Sequence, residues 1–105
     1  MTEPEFSATG VRIERWPRSL TTAGEVRIEG GRLALLTSYG REIDSAPVRA
    51  VRAGRPWFAA SRDAAVATLN GARYRLTMGQ RDHRAGATLA GRFLEAVRRA
   101  GGRRD

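Results

Sequence analysis

The sequence predicts a mainly β domain with one C-terminal α-helix: a bent antiparallel sheet, or partly open barrel, of about seven strands capped by that helix. Three observations predict it. Residues 24–78 read as one short alternating run after another. Two of the turns between them, Gly30-Gly31 and Asn70-Gly71, are two-residue hairpin signals. Residues 86–100 read as a single amphipathic helix.

The totals bound the class. A chain of 105 residues makes one domain. It has no cysteine, which excludes a disulfide framework and a thiolate zinc site. The single histidine, His83, cannot build a histidine metal cluster. Neither a metal nor a cofactor is expected. Met1–Glu5 is acidic and lacks an apolar run, so the expectation is no signal peptide and a cytoplasmic protein. No segment approaches the roughly 18 consecutive apolar residues of a membrane-spanning helix.

The formal net charge is +8, and all 19 basic residues are arginine. GC-rich codon usage is the favoured explanation, since Ala and Gly are abundant as well. The alternative is that arginine serves to fork onto phosphates or carboxylates. Either way, the charge favours acidic partners.

The elements follow in order. Residues 1–10 are expected to be a flexible lead-in before a domain spanning 11–101. Val11–Trp16 alternates apolar and charged residues as a first strand, which Pro17 stops. Residues 18–24, rich in Ser and Thr, read as a connector. The runs 25–29 and 32–36 flank Gly30-Gly31. A two-residue loop pairs Glu29 with Arg32, Ile28 with Leu33, Arg27 with Ala34 and Val26 with Leu35. Val26, Ile28, Leu33 and Leu35 then share one face, and a one-residue slip would scatter them. Residues 38–41 turn the chain. Glu42–Asp44 is a short strand, continued by Ala46-Pro47-Val48, where proline demands an edge or a strand start. Val48–Ala53 extends it. Pro56–Ala59 is another short strand, followed by a turn at 61–63.

The second hairpin turns through Asn70-Gly71. Its register pairs Leu69 with Ala72, Thr68 with Arg73, Ala67 with Tyr74, Val66 with Arg75 and Ala65 with Leu76. Ala65, Ala67, Leu69, Tyr74, Leu76 and Met78 share the inward face. Arg73 and Arg75 point outward, and Val66 is the apolar exception beside Arg75. After a polar loop, the helix carries Leu89, Phe93, Ala96, Val97 and Ala100 as one stripe, with Leu94 at its edge. Arg98 and Arg99 suit its C-terminal dipole, and Gly101-Gly102 stops it. Nothing in the sequence explains Gly91 inside the helix. Residues 102–105 form a basic tail.

About seven strands followed by one closing helix resembles the pleckstrin-homology-like fold. The run Gly24–Ser38 is similar to the paired strands of those domains. Ile43, Ala46-Pro47-Val48 and Val51 are similar to the rhythm of a middle strand. The pattern looks most like the small stand-alone bacterial members. The resemblance implies a strongly bent sheet whose open end is plugged by the last helix, through Leu89, Phe93 and Val97 here. It also implies one of two roles. Phosphoinositide binding uses basic residues of a long first hairpin loop. The only well-defined early hairpin here turns through Gly30-Gly31, and Arg18 stands alone in the connector. Docking a peptide along a sheet edge, or between sheet and helix, needs no motif.

No catalytic constellation is visible. Ser61, Asp63, Asp82 and His83 lie near one another without a Gly-x-Ser-x-Gly elbow. No glycine-rich phosphate loop stands between a strand and a helix. The expectation is a non-enzymatic interaction module. It binds a protein or peptide partner, self-association included, through a sheet edge near Pro47–Trp57 and one outward aromatic of the Trp57-Phe58 pair. The alternative is an anion-binding module for nucleic acid or an acidic membrane surface. Candidate partner-binding residues are Arg49, Arg52, Arg55, Trp57, Arg73 and Arg75.

Overall fold

A computed structural model describes residues 5–15, 18–55, 63–79 and 83–104. The strands are β1 (Phe6–Arg15), β2 (Arg18–Glu29), β3 (Arg32–Leu36), β4 (Glu42–Pro47), β5 (Arg52–Gly54), β6 (Ala64–Leu69), β7 (Ala72–Thr77) and β8 (Arg103–Arg104); α1 spans His83–Arg99. They form one bent, unclosed sheet in the order β4-β3-β2-β1-β7-β6-β5-β8. The first seven strands pair antiparallel, and β8 joins β5 in parallel. The predicted strand at Pro56–Ala59 and the turn at Ser61-Arg62 lie outside the described residues.

Both predicted hairpins have the predicted register, pair for pair. The cause is local. Gly30 (φ 58°) and Gly31 (φ 75°) form one turn, and Asn70 (φ 52°) and Gly71 (φ 76°) form the other. Positive φ at both central positions gives the turn whose twist matches paired strands. Every residue assigned to the two inward faces is buried.

The N-terminal third corrects the expectation. The strand begins at Phe6, so the lead-in expected through Gly10 is part of the sheet from Phe6 onward. Phe6 pairs with Ile28, is buried, and sets its ring edge-on to Phe93 with centroids 5.6 Å apart. The pattern was hidden by a bulge. Phe6 and Ala8 face inward at even numbers, Val11 and Ile13 at odd ones. Between Ala8 and Val11 the register gains one residue, where Gly10 adopts φ 65°. The predicted connector 18–24 is likewise strand. It holds two further register shifts opposite Val11–Glu14, which erase any alternation. These bulges let β1 serve both halves of the sheet, pairing β2 along its length and β7 at Arg12–Glu14. Gly24 sits at the bend: a Cβ there would meet the Leu36 carbonyl oxygen at 2.5 Å and Thr21 Cγ2 at 2.6 Å.

Val48–Ala53 is not one extended run. Val48–Ala50 form a 3-10 turn closed by the Val51 N–H donating to the Val48 carbonyl at 2.8 Å. Val48 and Val51 are both fully buried. An extended strand would send residues three apart to opposite faces; one turn brings both inward.

The helix begins at His83, earlier than Gly86, and its buried stripe is Ala90, Phe93, Leu94 and Val97. Leu89, Ala96 and Ala100 are only partly buried. Leu94, expected at the stripe's edge, is in the core. Phe93 and Val97 are buried in the core against the bent sheet, while Leu89 is only partly buried. At the C-terminus, the Gly102 N–H donates to the Val97 carbonyl (2.8 Å) and the Gly101 N–H to the Arg98 carbonyl (3.2 Å), with Gly101 at φ 99°. This is the six-to-one and five-to-two closure of a Schellman end. It aims the chain back at the sheet, where the Arg103 N–H donates to the Val51 carbonyl at 3.0 Å. The predicted tail is therefore partly an edge strand.

Glycine matters at the other helix end too. A Cβ on Gly86 would lie 2.4 Å from the Gly79 Cα and 2.8 Å from the Cβ of Asp63. Asp63 is 3% exposed, and its carbonyl accepts from the Met78 N–H at 2.8 Å. The first helical turn packs directly on this corner.

Candidate functional site

Paired residues on neighbouring antiparallel strands point to the same side of a sheet, so register defines two outer faces. On the β5–β8 half, one row runs Arg103, Arg52, Thr68, Arg73 across β8, β5, β6 and β7. The next row runs Gly54, Val66, Arg75, Glu14, and the next pairs Arg12 with Thr77. Arg12, Arg52, Arg73 and Arg103 are exposed, and Arg75 is half-buried. Glu14 is the one carboxylate in these rows, and Arg12 holds it at 3.7 Å.

The β2–β4 half is built the same way but charged differently. Its outer face carries Glu25, Arg27, Glu29, Arg32 and Glu42. Arg27 Nη2 lies 2.6 Å from Glu25 Oε2. Glu29 stands opposite Arg32, whose Nη2 donates to Ser45 Oγ at 3.2 Å.

The candidate arginines therefore divide. Arg52, Arg73 and Arg75 come together on one face. Arg103, which the sequence placed in a tail, and Arg12 join them. No local signal reveals Arg103: its place depends on the Schellman turn and the β5 edge. Arg49 flanks the group, with its Cβ 3.8 Å from where a Cβ on Gly101 would be. Arg55 leaves it. Its Nη2 lies 3.8 Å from a Cβ position on Gly91, so the guanidinium rests against the helix there. A Cβ at Gly91 would meet it only at ordinary contact distance, so nothing in the structure demands glycine there. Trp57 and Phe58 lie outside the described residues.

The expected docking edge near Pro47–Trp57 is covered over Arg52 and Ala53 by β8. A different edge is open. β1 meets β7 only at Arg12–Glu14, so along Phe6–Ala8 the side opposite β2 pairs with no described strand. A groove of about 790 Å³ runs between this edge and α1. Phe6, Leu89, Ala96 and Ala100 give it apolar walls; Glu5, Arg92, Glu95 and Arg99 rim it. Glu95 accepts from Arg98 at 2.6 Å and from Arg99 at 3.1 Å. The Arg98 hydrogen bond leads in holding its carboxyl down to about 2.

The open side of the barrel is tied by a polar cluster. Tyr74 Oη donates to Asp44 Oδ2 at 2.7 Å. Asn70 Nδ2 donates to Asp44 Oδ1 at 2.7 Å and to the Ser45 carbonyl at 2.8 Å. β4 and the β6–β7 turn are not neighbours in the sheet, so these bonds cross between its halves. Burial, then the bond to Asp44, pushes the Tyr74 phenol up to about 12. The first hairpin in space is β1–β2, whose last pair is Arg15 and Arg18, rather than the one turning at Gly30-Gly31.

In comparisons with known proteins, no family model and no curated relative matches the chain.

Proposed function

We propose that this chain is a non-enzymatic interaction module that docks a protein or peptide segment by strand addition on the free edge of β1. One observation carries the reading: among the described residues, the Phe6–Ala8 edge pairs with no strand on the side away from β2, and it lies beside a groove with apolar walls and a charged rim, bounded on its far side by α1. An extended segment there gains main-chain hydrogen bonds from the edge and pockets for alternate side chains from the groove. The bent sheet with Phe93 and Val97 buried inside it supports the resemblance to pleckstrin-homology-like domains, and docking between sheet and helix is one of the roles that resemblance implies.

The test is selection from a displayed library of random peptides, followed by binding to an Ala96→Arg variant. Arginine is a good helix former and fills the groove from α1. The reading expects selected peptides that protect the Phe6–Ala8 amides from hydrogen exchange and lose affinity for the variant. A second copy of the chain as the occupant appears instead as dimerisation in sedimentation, abolished by the same substitution. A monomer that selects no peptide sensitive to Ala96→Arg overturns the proposal.

A further inference from the structure

The basic face calls for an account of its own, because composition does not explain it. Codon usage acts on the whole chain, and both outer faces are drawn from the same arginine-only composition. Yet residues 49–105 hold 13 of the 19 arginines and only four of the 11 acids. On the β2–β4 face, arginines and glutamates alternate and pair. On the β5–β8 face the row Arg103, Arg52, Thr68, Arg73 contains no acid at all. Among the described residues, Arg52, Arg73 and Arg103 have no carboxylate within ion-pair distance. Unrelieved like charge costs stability. Like charges on facing strands, as at Arg52 and Arg103, are unfavourable in themselves.

We propose that this face binds the phosphate backbone of duplex nucleic acid, through Arg52, Arg73 and Arg103. With strands about 4.8 Å apart, Arg103 to Arg73 spans about 14 Å. A duplex carries one negative charge per roughly 1.7 Å of axis, so a row of this length meets several phosphates at once. Guanidinium forks match phosphate geometry, and the Thr68 hydroxyl between them is a further phosphate donor. The described face holds no aromatic ring to stack on unpaired bases, and contacts to phosphate oxygens carry no sequence information, so the proposed binding is to duplex and independent of sequence. It also presents no large apolar side chain to insert into a bilayer: Val66 is its largest, and is half-buried. The groove beside α1 is a separate site, so neither proposal depends on the other.

The experiment measures anisotropy of a labelled 20-base-pair duplex with the full chain between 50 and 200 mM salt. Three phosphate contacts give a slope of log affinity against log salt of about −2.7. R52Q/R73Q flattens that slope by about 1.8 and weakens binding at 50 mM salt. R27Q/R41Q removes the same charge from the other half and leaves the slope unchanged. Circular dichroism checks that both variants are folded, and two unrelated duplex sequences bind equally. Absence of binding at 50 mM salt overturns the proposal. So does an equal loss in both variants, which would mean that net charge alone acts. Tighter, Arg52/Arg73-dependent binding to phosphatidylglycerol vesicles or to polyglutamate would give the face to a membrane or an acidic protein instead.

Discussion

The two hairpins β2–β3 and β6–β7 are near copies inside and opposites outside. Each turns through two residues of positive φ, and each buries a row of aliphatic side chains against the same core. Outside, β2–β3 sets glutamate against arginine, whereas β6–β7 sets arginine against threonine and valine. The difference teaches that folding demands the inward pattern in both cases and leaves the outward one free. Where the outward pattern is neutralised, stability alone accounts for it. Where it stays unneutralised, as at Arg73 and its neighbours Arg52 and Arg103, a partner is the better explanation.

Breaking the likeness inside produces the largest effects. Leu33→Ala in one hairpin and Leu76→Ala in the other should each cost about 2–5 kcal/mol in denaturant unfolding, as fully buried leucines do. Two clearly different costs would mean that the halves do not share one cooperative core. Next comes the tie between the halves. Tyr74→Phe removes the donor to Asp44 and should cost about 1–2 kcal/mol. The pH dependence has a definite sign. The phenol titrates at about 12 in the folded chain against 10.0 ordinarily, so the fold favours the neutral form. That stabilisation is complete below pH 10 and is lost as pH rises from 10 to 12. The melting temperature of Tyr74→Phe should fall less over that interval than that of the parent chain.

The outer faces differ by less, and in opposite directions. Glu29→Arg places a like charge opposite Arg32 and should destabilise by about 0.2–1 kcal/mol. Arg73→Glu should leave stability unchanged or raise it, because it relieves repulsion on a face with one acid. Thermal melts of the two variants beside the parent check both signs. The smallest effect is salt: raising ionic strength should slightly raise the parent's melting temperature by screening the basic face, and less so for R52Q/R73Q.

What could be read from the sequence follows the same division. The hairpins were legible because turn chemistry and alternation agree within about a dozen residues. β1 and the start of β2 were not. Their pairing carries three register shifts, and Phe6 shows its role only by meeting Ile28 and Phe93 far along the chain. Val48–Ala50 was misassigned because two buried valines three apart fit a turn, not a strand. The helix was legible as a helix, but its buried stripe is centred on Phe93 and Leu94, set by the bent sheet it packs against. Of the basic site, Arg73 and Arg75 could be placed together from one hairpin register. Arg52 needed the β5–β6 pairing, Arg103 needed the Schellman turn, and Arg55 left the group for a contact with Gly91 that has no local signature.

The most direct test of the contrast between faces is amide-shift mapping by NMR as a 20-base-pair duplex is titrated into the labelled chain at low salt. The account predicts shifts concentrated at Arg52, Thr68, Arg73 and Arg103, with Arg27, Ala34 and Ser45 unmoved. Shifts spread evenly over both halves, or gathered at Phe6–Ala8 and the groove beside α1, would contradict it.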